Sequence, residues 1–255
     1  MVTKKEMVIL ILVWAVITLL GEILASNVQY FPSPAAQEAA IVDGAFRALV
    51  ALAMPVFTFV LAVLGYSLLR FRSKGQPAQD GPPVRSHKGV VATWFAITGA
   101  LCLLVIIYPG VTGLAELRAR AREKPDLVVQ VEGARWFWKI TYPDYRITTY
   151  KELVLPVDKH VHFMMTSKDV LHAFWVPGFR AKIDAVPGMT TMTDSTPNML
   201  GTFQEDPNFR LQCTQLCGTG HTIMAVPVRV VTQSEFDAWI AQQTKQAMKL
   251  EDSAR

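Results

Sequence analysis

Cysteine and charge are both scarce in this chain. Only three cysteines occur among its 255 residues, too few for a disulfide framework. No Cys-x-x-Cys-His string is present, which excludes a c-type haem fused to the chain. Charged residues make up 18% of the sequence against 51% hydrophobic ones, and the mean hydropathy is +0.26. That balance excludes an ordinary soluble protein and points first to membrane spans. Up to Lys124 there are twelve Lys/Arg against seven Asp/Glu, and from Pro125 onward thirteen against fourteen. The basic excess therefore belongs to the apolar part, where cytoplasmic loops collect it. It gives no reason to expect nucleic acid as a partner. No internal repeat is present.

Three apolar stretches, about 7–25, 45–69 and 89–108, each approach the roughly 20 residues that cross a bilayer. The first follows Lys4 and Lys5. It is long for a signal core and Leu24-Ala25-Ser26 is a poor cleavage site, so it reads as a retained helix. Pro109-Gly110 is expected to stop the third stretch, and Cys102 within it reads as a small buried hydrophobe. The loop from Asn27 to Gly44 carries Glu38 and Asp43 and no Lys or Arg. The loop that follows the second stretch carries Arg70, Arg72, Lys74, Arg85 and Lys88, with a Pro/Gly-rich segment at Gln76–Pro83. The positive-inside rule puts this second loop in the cytoplasm and the C-terminal part outside.

From Asp126 the pattern changes to short strands between turns. Leu127–Val131 and Trp136–Tyr142 come first, followed by the turn Pro143-Asp144. Val161, Phe163 and Met165 alternate with His160, His162 and Met164; Phe209, Leu211 and Cys213 alternate with Arg210 and Gln212; Val226–Val231 comes last. This spacing predicts an all-β sandwich of about 110 residues. Thr232 with Glu235 forms a capping box for a closing helix that buries Phe236, Trp239 and Ile240. The expected division is a helical anchor over 1–122, a β domain over 123–232, and a helix with a polar, frayed tail over 233–255.

The chemistry is concentrated in Leu211-Gln-Cys213-Thr-Gln215-Leu-Cys217-Gly-Thr-Gly-His221-Thr-Ile-Met224. Soft sulfur with imidazole suits copper, and His, Cys and a weak Met are the ligands of electron-transfer copper. A single blue-copper site needs one Cys; a second thiolate on the same loop can bridge two ions. Met224 and the Gln215 carbonyl can each supply a weak ligand. His172, after a predicted strand and before Pro177, is the candidate for the second imidazole. Half of a structural zinc site is the competing reading, but there is no second Cys pair and a thioether suits zinc poorly. A redox disulfide between Cys213 and Cys217 is another, and His221 and Met224 at ligand spacing speak against it. His160-Val-His162 reads as a solvated pair on an outward face. Lys182 and Asp184 read as a turn pair. Alternation places Trp136 and Trp138 on one strand face.

This string resembles the copper loop of the cytochrome c oxidase subunit II family. Thr166–Gly188, with His172 and Lys182-Ile-Asp184-Ala-Val-Pro187-Gly188, resembles that family's first ligand loop. Gly133-Ala-Arg-Trp136-Phe-Trp138 resembles its aromatic stretch. The resemblance implies two to three transmembrane helices followed by an all-β, cupredoxin-like Greek-key sandwich on the outer, periplasmic side of the plasma membrane. It implies a binuclear copper centre held by His172, Cys213, Gln215 through its carbonyl, Cys217, His221 and Met224. It makes Trp136 the aromatic through which electrons arrive. It also implies a haem-bearing subunit I as partner, where oxygen is reduced, and a cytochrome c or a small blue-copper protein as donor. Glu205-Asp206 is a small acidic candidate for steering a basic donor.

Three features depart from the family pattern. Gln215 stands where many members carry a Glu that helps hold magnesium at the subunit I boundary; it resembles the B-type branch and argues against that ion. Arg85–Thr93 holds no Glu for proton uptake, only His87. Three spans stand where two are usual. Alternative readings are the copper subunit of a nitric oxide reductase and a copper-delivery protein. The copper-free quinol-oxidase type conflicts with the full ligand set.

Overall fold

The computed structural model describes residues 3–72, 75 and 86–253. Lys74, Arg85 and the Gln76–Pro83 loop lie outside the described residues. The chain forms two units, one of Met1–Tyr30 with Gly44–Leu114, the other of Phe31–Asp43 with Ala115–Arg255.

The first unit is helical: α1 (Lys4–Asn27), most of α2 (Gln37–Arg70) and α3 (Lys88–Val105). Three stretches are long and apolar enough to cross a membrane by length and composition: Lys4–Asn27, Gln37–Arg70 and Lys88–Ala121. Helices α1 and α2 meet through polar and small groups, which bind helices together where lipid removes the hydrophobic drive. The Trp14 indole donates to the Pro55 carbonyl at 2.9 Å, and the Thr18 and Thr58 hydroxyls lie 2.7 Å apart. Pro109-Gly110 breaks the third stretch as expected: α3 ends at Val105, Tyr108 has extended rather than helical backbone (φ −134°, ψ 124°), and a separate helix α4 (Thr112–Ala121) follows the kink. One expectation fails here. Cys102 is exposed rather than buried, because α3 buries none of its residues.

The second unit is a cupredoxin-like sandwich. One sheet runs β3 (Ile147–Thr149), β2 (Phe137–Tyr142), β1 (Leu127–Ala134), β5 (Val161–Ser167), β8 (Thr191–Ser195). The other runs β4 (Leu153–Pro156), β11 (Ala225–Val231), β10 (Arg210–Cys213), β6 (His172–Val176), β7 (Ala181–Ala185), with β9 (Gly201–Thr202) also on β11. The chain crosses between the sheets repeatedly, so β1 pairs in parallel with β5, and β4 with β11. The period-2 pattern decides which side chains fill the core. Leu127, Val129 and Val131 face Trp138, Ile140 and Tyr142 on β2 and Val161, Phe163 and Met165 on β5, all buried. Each such side chain contributes about 1.5–3 kcal/mol by leaving water. Helix α5 (Gln233–Ser253) starts at the expected capping box: Thr232 N–H donates to Glu235 at 2.9 Å, and Glu235 N–H to the Thr232 hydroxyl at 3.3 Å. Its Phe236 and Trp239 pack on Tyr142, and the helix runs past Lys249, where fraying was expected.

Residues 31–43 belong to this unit as a strap. Ala35 N–H donates to the Gly178 carbonyl at 2.8 Å, Asn198 N–H to the Ala35 carbonyl at 3.1 Å, and Gln37 N–H to the Thr196 carbonyl at 3.0 Å. Glu38 accepts from Thr196 N–H at 2.8 Å, and Asp43 pairs with the buried Arg180 at 2.7 Å. The two acidic residues that in sequence only marked a loop without Lys or Arg are therefore structural partners of the sandwich.

Lys182 and Asp184 do not form a turn. Both lie on β7, paired with β6, and Lys182 sits 5.0 Å over the Trp175 ring. His160 and His162 are not free on the surface: His160 Nε2 and His162 Nδ1 lie 3.0 and 2.9 Å from the same Asp194 oxygen. Register places Asp194 directly opposite His162.

Candidate metal centre

Two ends of the second sheet bring the donors together. Strand β10 delivers Cys213 at its last residue, beside β6, which opens on His172. The loop after β10 carries Gln215 and Cys217, and a short helical turn His221–Ile223 turns it back before β11. Met224 lies at that return, with its carbonyl accepting from Cys213 N–H at 3.0 Å.

The two sulfurs are the centre of the arrangement, 3.9 Å apart. His172 Nδ1 lies 3.8 Å from Cys213 Sγ, and the Gln215 carbonyl oxygen 3.2 Å from the same sulfur. His221 Nδ1 lies 3.5 Å from Cys217 Sγ, and Met224 Sδ 3.9 Å from it. Each sulfur thus has one imidazole and one weak donor beside it. His172, Cys213 and Cys217 have ligand atoms within 4.8 Å of one another, and His221 stands outside that group. A tetrahedral zinc centre gathers four donors around one point; here the donors divide between two sulfurs. The chemistry of the set, thiol, imidazole, thioether and carbonyl, fits copper.

His172, Cys213, Cys217 and Met224 are buried. Burial and the neighbouring Cys213 push the Cys217 thiol up to about 11. Metal binding at this position must therefore displace a firmly held proton.

Packing around the donors explains several residue types. A Cβ at Gly133 on β1 would stand 2.9 Å from the His172 ring, so only glycine lets the imidazole lie against that strand. A Cβ at Gly220 would meet the Trp136 indole at 2.4 Å. Trp136 lies in the turn before β2, 39% exposed, and its Nε1–H donates to the Cys217 carbonyl at 3.2 Å. The expectation that Trp136 and Trp138 share a strand face fails, because β2 begins only at Phe137. Trp138 is fully buried, 6.0 Å from the His172 ring.

Sequence reasoning passed over Asp169 and Arg135. Asp169 Oδ1 lies 2.9 Å from His172 Nε2. Its Oδ2 accepts from Arg135 N–H at 2.9 Å and from Arg135 Nε at 3.2 Å. Burial opposes the Asp169 charge, but the bonds from His172, Arg135 and the Val170 N–H outweigh it and hold this carboxyl well below the usual carboxylate range. The signal available in sequence was the three-residue spacing from Asp169 to His172; nothing in it pointed to Arg135.

The profile described as "Cytochrome C oxidase subunit II, periplasmic domain" matches residues 146–231. A probable cytochrome c oxidase subunit 2 of Rickettsia conorii is 29% identical over 214 residues, covering 76% of this chain and 64% of the relative. The cytochrome c oxidase subunit 2 of Bacillus subtilis is 31% identical over 188 residues, covering 68% of this chain and 51% of the relative. The crystallised periplasmic domain of subunit II of cytochrome oxidase of Bradyrhizobium japonicum is 32% identical, over 49% of this chain and 97% of that domain, with a TM-score of 0.45. The chain spans less than two thirds of the length of the Rickettsia and Bacillus relatives. The profile falls on the sandwich and the relatives' identity extends over most of the sequence, so what the chain is similar to is the cytochrome c oxidase subunit II family.

Proposed function

We propose that this chain is the electron-accepting subunit of a respiratory cytochrome c oxidase, holding two copper ions between Cys213 and Cys217. The observation that carries the reading is the division of donors: His172 and the Gln215 carbonyl beside one sulfur, His221 and Met224 beside the other. Copper held by these residues would supply one-electron uptake and release, with little rearrangement if the charge were spread over two ions. The residues account for the rest. Strand pairing of β10 with β6 fixes Cys213 and His172 on the sheet, and the loop to β11 brings Gln215, Cys217, His221 and Met224 to them. The Trp136 indole reaches from the surface to the Cys217 carbonyl and is the route by which an electron enters. Exposed Leu216 and Ile223 on the same loop offer an apolar rim against which a carrier protein docks. Glu205 and Asp206 are both held by local hydrogen bonds, to Thr202 and Asn208 respectively. The donor is a cytochrome c or a small blue-copper protein. The acceptor is haem in a partner subunit I, where oxygen is reduced. The helical unit anchors the chain in the plasma membrane with the sandwich outside. Gln215 supplies an amide where a carboxylate would hold magnesium, so no magnesium is assigned.

The test is copper reconstitution of the full chain in detergent, read by metal analysis and electron paramagnetic resonance. Two coppers per chain and a hyperfine pattern of one electron shared equally between them are expected. One copper per chain with a single-nucleus pattern would refute the reading. Trp136→Phe is expected to slow oxidation of the donor by at least about tenfold while the copper spectrum stays intact, since the indole and its N–H bond to the Cys217 carbonyl are lost but no ligand side chain is changed. An unchanged rate in stopped-flow mixing would move the point of electron uptake elsewhere.

A further inference from the structure

We propose that Asp169 is a positioning residue that ties the imidazole of His172 to the turn carrying Trp136, so that one carboxylate sets both a copper ligand and the aromatic in front of it. The proposal rests on the copper reading above and deepens it. An ionised carboxylate only accepts hydrogen bonds. The His172 nitrogen facing it, Nε2 at 2.9 Å, must then carry the proton. That leaves Nδ1 as the bare nitrogen, and Nδ1 is the atom turned toward Cys213 Sγ. Such a carboxylate–imidazole pair fixes the tautomer and ring orientation of a ligating histidine.

The second oxygen does separate work. Asp169 Oδ2 accepts from the Arg135 backbone N–H and from its side chain. Arg135 immediately precedes Trp136, whose indole N–H reaches the Cys217 carbonyl. A continuous hydrogen-bonded path therefore runs from His172 through Asp169 and the Arg135–Trp136 turn to the Cys217 carbonyl. Asp169 also receives Val170 N–H, as an ordinary turn aspartate does. The two roles separate by chemistry. A turn needs one acceptor oxygen, which asparagine supplies. The path needs two, because donors face the side chain on both sides. Asparagine must present its NH₂ group either to His172 Nε2–H or to Arg135 N–H, and one link is lost.

The experiment compares wild type with Asp169→Asn in the full chain in detergent. In metal-free protein, nitrogen NMR of the histidine rings is expected to show His172 protonated at Nε2 in wild type and a mixture of tautomers, or a changed ring environment, in the variant. After copper loading, chelator competition is expected to show about 10–100-fold weaker retention in the variant, the usual loss when the outer partner of a ligating histidine is removed. The reduction potential should rise, since a negative charge beside the ions is gone. A merely turn-forming Asp169 leaves tautomer, retention and potential unchanged in Asp169→Asn, and that result overturns the proposal. Because the tautomer is read without metal, it decides the role of Asp169 even if the variant loads poorly. Wild-type protein that shows the Nε2–H tautomer yet takes up no copper pair would instead defeat the functional reading and leave the positioning role standing.

Discussion

Cys217→Ser is expected to abolish the paired centre, taking the full chain from two coppers to one or none and removing the shared-electron resonance signal. Serine keeps the size of the side chain but offers a hard hydroxyl that stays protonated where a thiolate is required. His221 and Met224 both lie beside this sulfur, so its loss strips that half of the site of its anionic ligand. His172 and the Gln215 carbonyl remain beside Cys213 and can still hold one ion. The thermal midpoint of the metal-free protein should hardly move, since the exchange is nearly isosteric. Retention of two coppers in metal analysis of Cys217→Ser would show that the thiolate bridge is not what holds them.

Arg180→Met is expected to destabilise the outer unit by about 3–5 kcal/mol, the usual cost of leaving one partner of a buried ion pair alone. The Arg180 side chain is 6% exposed and makes four hydrogen bonds: two to Asp43, one to the Pro32 carbonyl and one to the Pro177 carbonyl. It also sits 5.0 Å over the Phe31 ring. Its backbone is left-handed, with φ of 60°, a conformation that side-chain-bearing residues adopt at a cost. The guanidinium contacts offset that cost. Methionine keeps part of the packing, removes every hydrogen bond and leaves the Asp43 charge largely buried. A fall in the midpoint of roughly 10 °C follows from that loss, together with faster proteolysis within 28–44 as the strap lifts. Adding Asp43→Leu should restore most of the loss, because it removes the stranded charge. A midpoint within a degree of wild type for Arg180→Met would show that the strap is held by its backbone bonds and buried alanines alone.

Hydropathy by itself marked the three apolar stretches, two-residue alternation marked β5 and β10, and short apolar runs between turns marked β1 and β11, because these signals are local and survive without knowledge of neighbours. The spacing from Cys213 to Met224 was equally local: the donors lie on one short loop, so their chemistry was legible as a string. His172 could be named as a candidate from its place after a predicted strand and before Pro177, but its approach to Cys213 depends on the pairing of β6 with β10. Other features were decided by the tertiary fold. The separation of Trp136 from Trp138 and the tether of His160 and His162 to Asp194 both went against local pattern. Arg180 meets Asp43 across 137 positions, and Arg135 meets Asp169 across 34. Such contacts are fixed by strand register and by where the chain crosses between sheets. No window of neighbouring residues carries that information, so the ligand string could be read from the sequence while the groups that aim it could not.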